Sequence, residues 1–405
     1  PRPAPEPLPI PVPGEPSLTI GLAWDLDSLT LDPLGEADID GRESVVLPER
    51  GWVRAEVRAG GVRLDLIGAE PRTRPMAAGE TLWVRPRANA DGEAGLTRWK
   101  GRTWRGDLKL FRNARGKLTL ATRVPLETYL LGVLPYEIGP LADSLLEAGR
   151  AQAIAARSFT LYYLGRRGIE GFDLFGTVED QVYGAVDGEK PLATRCVSTT
   201  SGQVAESEGE PVRANYSSTC GGISAEVWEA WPEPARRYLT SHLDRGTGAD
   251  YCSASPHYRW REEWTAAEFL ENLRRFGPGH AIRLPSGGLG RLLDVRVHSR
   301  STSGRVWRLD IVTSRGRIEI PAHSLRMVLR RGGKPGSILR STLIKLDVRR
   351  DPATRRALAV VVSGAGNGHG VGLCQTGALG MARLGIAGEN ILRHYYPGSA
   401  IRKRY

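Results

Sequence analysis

Residues 368–378 read GHGVGLCQTGA and set His369 among glycines just ahead of a helical stretch. Glycines on both sides let backbone approach a ligand or another segment closely, and a strand-loop-helix passage presents loop N–H groups to an oxyanion or a sugar. Neutral imidazole and the nearby Gln375 supply donors and acceptors for hydroxyl or acetamido groups. The wider run GAGNGHGVGLCQTG lacks the Lys followed by Ser or Thr of a nucleotide phosphate loop. The competing reading is a loop that closes the fold, with His369 hydrogen-bonded to backbone. A second reactive candidate is Glu137, which follows VLPY beyond a helix expected to break near Pro135. Leu134 and Tyr136 are placed to desolvate that carboxyl and raise its pKa, as a general acid requires.

Arg157 interrupts the small-residue run IAARSF, where a guanidinium must face a cleft or a carboxylate. It either binds an acidic ligand group or orients Glu137 by a charge-assisted bond, or it forms a buried ion pair, for example with Asp180. Pairing with Glu137 would lower that carboxyl's pKa and oppose an acid role. No two of the four cysteines show CxxC spacing, so no metal site is expected and no cofactor is implied. Cys220 and Cys252 flank an extended stretch and form either a disulfide, if the protein is exported, or two free thiols. A thiol nucleophile at Cys374 paired with His369 has no third orienting group.

The elements that must carry these groups belong to a chain of 405 residues, 40% hydrophobic, ample for a large core or two modest domains. Its net charge of +11 is spread along the chain and favours anionic polymers, or reflects general arginine usage. No zinc-finger spacing, RNP-like strand or continuous basic helix supports a nucleic-acid partner. Residues 1–16 read as a stiff proline-rich tether, left by a removed signal or anchor segment or by an arbitrary boundary, and so a possible membrane tether. Residues 17–114 alternate short apolar runs with turn residues and are expected to be β-rich, with ANADGEAG as a surface loop. A short helix ending at Pro135 and a long one over about 145–165 follow. Gly149, Ala153, Ala156 and Thr160 give the long helix a narrow face for close packing. Residues 261–345 read as an inserted unit of helix TAAEFLENLRRF, strands LLDVRVHSRS and VWRLDIVTS, and the helical AHSLRMVLRR. The chain then closes through the strand ALAVVVSG, the glycine loop and two helices. The fold class is α+β: a mixed β core with packed helices, a β-rich N-terminal region and an inserted α+β subdomain.

PLETYLLGVLPYE, AQAIAARSFTLYYL, DQVYGAV, ANYSSTCGG, SPHYRW and GHGVGLCQTGALGMARLGIAGENILRHYYPG occur in one order, and together they resemble the SpoIID/LytB family. The resemblance covers about 115–260 and 340–401, and more weakly the unit between them; residues 115–260 and 346–405 are read as two parts of one core. It implies bacterial cell-wall remodelling: lytic transglycosylase activity on peptide-stripped peptidoglycan glycan strands in some members, and enhancement of a separate N-acetylmuramoyl-L-alanine amidase in others. It places the transglycosylase glutamate at Glu137, which would protonate the glycosidic oxygen and then accept a proton from the muramic acid C6 hydroxyl, leaving 1,6-anhydro ends. No attacking water and no second carboxylate are needed. It adds Tyr183, Tyr216, Ser217 and Ser218 to Arg157, His369 and Gln375 as substrate-binding residues, with the His369 loop as one wall of a glycan cleft and Glu137 on the other. Ser217 stands where relatives often have His, and Cys374 where they often have Ser. Some relatives bind zinc around the QVY segment, but FDLFGTVEDQVYG has neither Cys nor His. The expected location is extracytoplasmic, at the cell envelope.

Overall fold

In the computed structural model the described residues are 13–68, 70–88, 95–332 and 334–405. Most of the proline-rich tether and of the ANADGEAG loop lies outside them. Packing divides the chain into two compact units, Pro1–Val204 with Ile401–Tyr405, and Ala205–Ala400. That division falls elsewhere than the motif boundaries near 114, 260 and 345, because strand pairing and helix packing join segments across them.

In the first unit, alternation of apolar and polar residues makes two antiparallel-rich sheets. Thr81–Pro86 and Asp107–Arg112 bury Leu82, Val84, Leu108 and Leu110 on one face and turn intervening residues outward. They lie in a seven-stranded sheet, where Ser17–Leu26 pairs with Leu118–Pro125 from Ser17↔Pro125 onward. A six-stranded sheet runs from Arg102–Arg105 to Arg72–Met76. The chain leaves Leu118–Pro125 straight into helix α1 (Leu126–Ile138), followed by α2 (Leu146–Tyr162) and α3 (Pro191–Thr199). The expected end of α1 at Pro135 is corrected: the helix runs on to Ile138 and stops at Gly139, whose φ is 77°. Pro135 sits in the last turn, where its missing N–H removes a single intrahelical bond. The small face of α2 does pack closely. A methyl at Gly149 would come within 2.5 Å of the Cys196 Sγ on α3.

The second unit holds α4 (Val227–Ala230), α5 (Ala266–Phe276), α6 (Ala322–Val328), α7 (Gln375–Arg383) and α8 (Gly388–Tyr395). Thr265 caps α5: its hydroxyl accepts from the Glu268 N–H while the Glu268 carboxylate accepts from the Thr265 N–H. Strands Leu292–Arg300, Val306–Thr313 and Gly316–Pro321 form one antiparallel sheet. Its core does not stop near 345. Val295, Leu309, Ile311 and Phe269 share one hydrophobic cluster with Ile344, Val360 and Val362. The last two lie on Ala357–Ala365, which pairs antiparallel with Arg259–Thr265 and Ile344–Arg350. The architecture is α+β, with several β-sheets and packed helices. Among the described residues no helix is long and apolar enough to cross a membrane.

Candidate functional site

Glu137 lies in the last turn of α1, half-buried, and its Oε1 accepts the Val182 N–H at 2.9 Å. The DQVYGAV segment reaches that position because glycines clear the way. A methyl at Gly132 would meet the Tyr183 ring at 2.5 Å, and methyls at Gly184 and Gly188 would enter the Tyr136 ring. Tyr136 remains 46% exposed. It lines, with Pro135, Leu141, Asp187, Lys190 and Leu192, a pocket of about 600 Å³. Glu137 neighbours this pocket in sequence without being part of its wall.

Tyr183 is buried, stacked at 5.1 Å on Tyr129 and at 5.8 Å on Trp104, and burial pushes its phenol well above the usual range. It packs against α1 through Tyr129 and Gly132. Arg157 meets neither Glu137 nor Asp180. Its Nε and Nη2 donate to Oε1 and Oε2 of Glu127 at 2.8 and 2.6 Å, and its Nη1 to the Gln203 carbonyl at 2.9 Å. With Arg157 and Glu127 fully buried, the ion-pair alternative is the one realised and a direct sugar contact is not. Asp180 instead pairs with Arg166 and Arg167.

In the second unit the glycine loop is interlaced with ANYSSTCGG. Tyr216–Ser217 and Leu373–Cys374 pair in parallel, and Thr219 and Asn367 exchange backbone bonds at 3.0 and 2.8 Å. The expected oxyanion cradle is thereby corrected, because many loop N–H groups already have protein acceptors. Gly366 donates to the His257 carbonyl, Gly368 to the Arg340 carbonyl, and Gly370 to the Ser217 hydroxyl at 3.2 Å. Ser217 is buried, and a methyl at Gly368 would lie 2.6 Å from its Cβ, so a small residue here suits the packing. Tyr216 and Ser218 are half-buried, and Gln375 is 9% exposed at the start of α7. The His369 ring accepts the Val371 N–H through Nδ1 at 3.0 Å and also bonds the Tyr216 backbone. Its proton therefore sits on Nε2. It packs 4.8 Å from Trp231, over which Arg213 lies.

Desolvation, then the nearby Arg326, push His369 down to about 3. The unfolded chain takes up this proton near its ordinary 6.5, the folded chain only near 3, so the residue contributes stability above the higher value and loses it as pH falls between the two. Discounted for partial exposure, wild type should lose about 1 kcal/mol more than His369→Gln between about pH 7 and about pH 5 in urea titrations. Equal losses would mean that His369 titrates normally.

A second pocket, of about 670 Å³, includes Arg245, Arg259, Arg300 and Lys345 in its lining, with Asp250. The sulfurs of Cys220 and Cys252 stand 3.7 Å apart as free thiols, and Cys374 and Asp244 complete a buried cluster with them. The sequence offers Cys220, Cys252 and Cys374 as possible members of a site, but without CxxC spacing no metal is expected there, and nothing points to Asp244. The cluster's members come from three separate stretches, and no local spacing signals them.

Residues 114–206 match the family described as Stage II sporulation protein, and residues 234–372 match a domain of unknown function (DUF8618). An uncharacterized protein of Brachyspira hyodysenteriae is 27% identical over 288 residues, covering 69% of this chain and 67% of that protein. Stage II sporulation protein D of Bacillus subtilis is 25% identical over 301 residues, covering 69% of this chain and 74% of that one. The amidase enhancer of Bacillus subtilis is 26% identical over 310 residues, covering 67% of this chain and 40% of that one.

Proposed function

We propose that this chain, assigned by its homology to the SpoIID/LytB-like family, is an exported cell-wall protein that binds peptidoglycan glycan strands and assists a cell-wall amidase without cutting the strands itself. The pocket at the end of α1 carries this reading, because Pro135 and Tyr136 line it and Glu137 does not. Exposed Tyr136 and the pocket it lines offer a sugar an aromatic face and a concave surface. The cationic pocket of the second unit suits carboxylates of muramic acid and stem peptides.

One observation favours a second reading, lytic transglycosylase chemistry through Glu137. The carboxyl is only half-buried and follows Tyr136 directly in the chain, so a bound strand that displaced the Val182 bond and excluded water would raise its pKa. The test is mass spectrometry of products released from intact and from peptide-stripped peptidoglycan, with and without an added amidase, for wild type and Glu137→Gln. The binding reading expects no glycan fragments from the chain alone, and amidase-released stem peptides that rise equally with either protein. Fragments about 18 Da lighter than hydrolysis products, absent with Glu137→Gln, would replace it with the transglycosylase reading.

A further inference from the structure

Cys220, Cys252, Cys374 and Asp244 converge on one buried point of the second unit, and their sulfurs and one carboxylate oxygen all lie within 4.8 Å of one another. Cys220 Sγ is 3.7 Å from Cys252 Sγ and 3.1 Å from Asp244 Oδ2. Zinc–sulfur bonds of about 2.3 Å in a tetrahedron put sulfurs about 3.8 Å apart, and a sulfur–carboxylate edge is somewhat shorter. A disulfide requires about 2.05 Å. The spacing is thus that of ligands around an ion.

Two of the sulfurs accept backbone N–H groups. Cys374 caps α7 and accepts the N–H groups of Gly377 at 3.3 Å and Cys220 at 3.2 Å. Cys252 accepts the Gly221 N–H. Asp244 has its Oδ1 held by the Tyr395 hydroxyl at 2.6 Å, which aims Oδ2 at the sulfurs, as outer partners of metal ligands do. An independent observation is Arg305, fully buried beside the cluster. Its Nη2 donates to the Cys220 and Ile223 carbonyls, and its Nε and Nη1 have no hydrogen-bond partner among the described residues. Burial pushes its pKa down, and the Glu229 carboxylate acts against that shift. A buried guanidinium so placed calls for negative charge nearby, and three thiolates with a carboxylate around a divalent ion leave a net negative centre.

We propose that Cys220, Cys252, Cys374 and Asp244 hold a structural zinc ion. Thiolate ligands select zinc among abundant divalent ions, and four protein ligands leave no open position for catalysis. Loading releases the thiol protons to solvent, and the ion ties the ANYSSTCGG segment, the stretch from Asp244 to Cys252 and the start of α7 together. The site lies apart from the QVY segment and does not depend on the reading of Glu137.

The test is elemental analysis of the full chain, produced in zinc-containing medium and purified without a histidine tag. Wild type and Cys196→Ala should carry about one zinc per chain, and Cys252→Ala should retain less than about a tenth of it. Since Cys252→Ala can fail to fold, wild type reloaded with cobalt gives a second reading: a thiolate-to-cobalt charge-transfer band with the strong visible bands of a tetrahedral site. Wild type that contains no zinc and shows no such band overturns the proposal, as does a zinc-free chain lighter by two hydrogens through a disulfide within the cluster.

Discussion

Arg157→Met should destabilise the protein by about 3–5 kcal/mol, because it leaves the Glu127 carboxylate buried without its counter-charge. Both Glu127 oxygens accept from the guanidinium, and Oε1 also takes the Gly202 N–H at 3.1 Å and the Tyr405 hydroxyl at 2.7 Å. Those two neutral donors remain in the variant, yet they do not replace a cation in a site that excludes water. Combined with Glu127→Leu, the same change should cost far less than the sum of the single losses, since no unpaired charge is then left. Urea titrations should show the midpoint falling at unchanged slope. A substrate-binding arginine behaves in the opposite way, with stability intact and glycan affinity lost. That outcome would return Arg157 to the cleft-facing, ligand-binding role that is the alternative to an ion pair.

The same residue marks where legibility ends. The narrow face of α2 can be read from Gly149, Ala153, Ala156 and Thr160 because helical spacing is local. The partner of Arg157 cannot, since Glu127 and Asp180 are both carboxylates at plausible distance and only the packing of α1 on α2 chooses between them. Helix α5 is equally local, with its capping box and apolar periodicity inside one stretch. The run of α1 past Pro135 depends on how few bonds a terminal proline removes, a matter of one turn. Glu137 was singled out by motif, but the Val182 N–H that bonds its carboxylate arrives through close approaches at Gly132 and Gly184, which no spacing rule foretells. The thiol cluster is the extreme case. Cys374 lies 154 residues from Cys220, and long-range pairing, Ser217 with Cys374 and Thr219 with Asn367, brings their segments together.

Gly372→Ala and Gly398→Ala separate the two reasons a chain has to keep a glycine, and they should differ several-fold in cost. Both positions have positive φ, 68° and 78°. At Gly398 an added methyl meets nothing within 4 Å, so the expected loss is the backbone preference alone, about 1 kcal/mol. At Gly372 the methyl would fall 2.1 Å from the Asn215 carbonyl oxygen, and backbone cannot move aside as a flexible side chain does. That carbonyl accepts the Leu373 N–H at 3.0 Å and the Tyr396 hydroxyl at 2.8 Å, so displacing it loosens the parallel pairing and the anchor of Tyr396 together. Strain, overpacking and weakened hydrogen bonds sum to about 3–5 kcal/mol. Thermal and urea midpoints of the two variants provide the comparison. Similar small losses would mean the loop can shift away from ANYSSTCGG, reopening its N–H groups to a ligand. A large gap would mean that the glycines around His369 serve close packing first, and that any glycan the loop meets is held by side chains such as Tyr216 and Trp231.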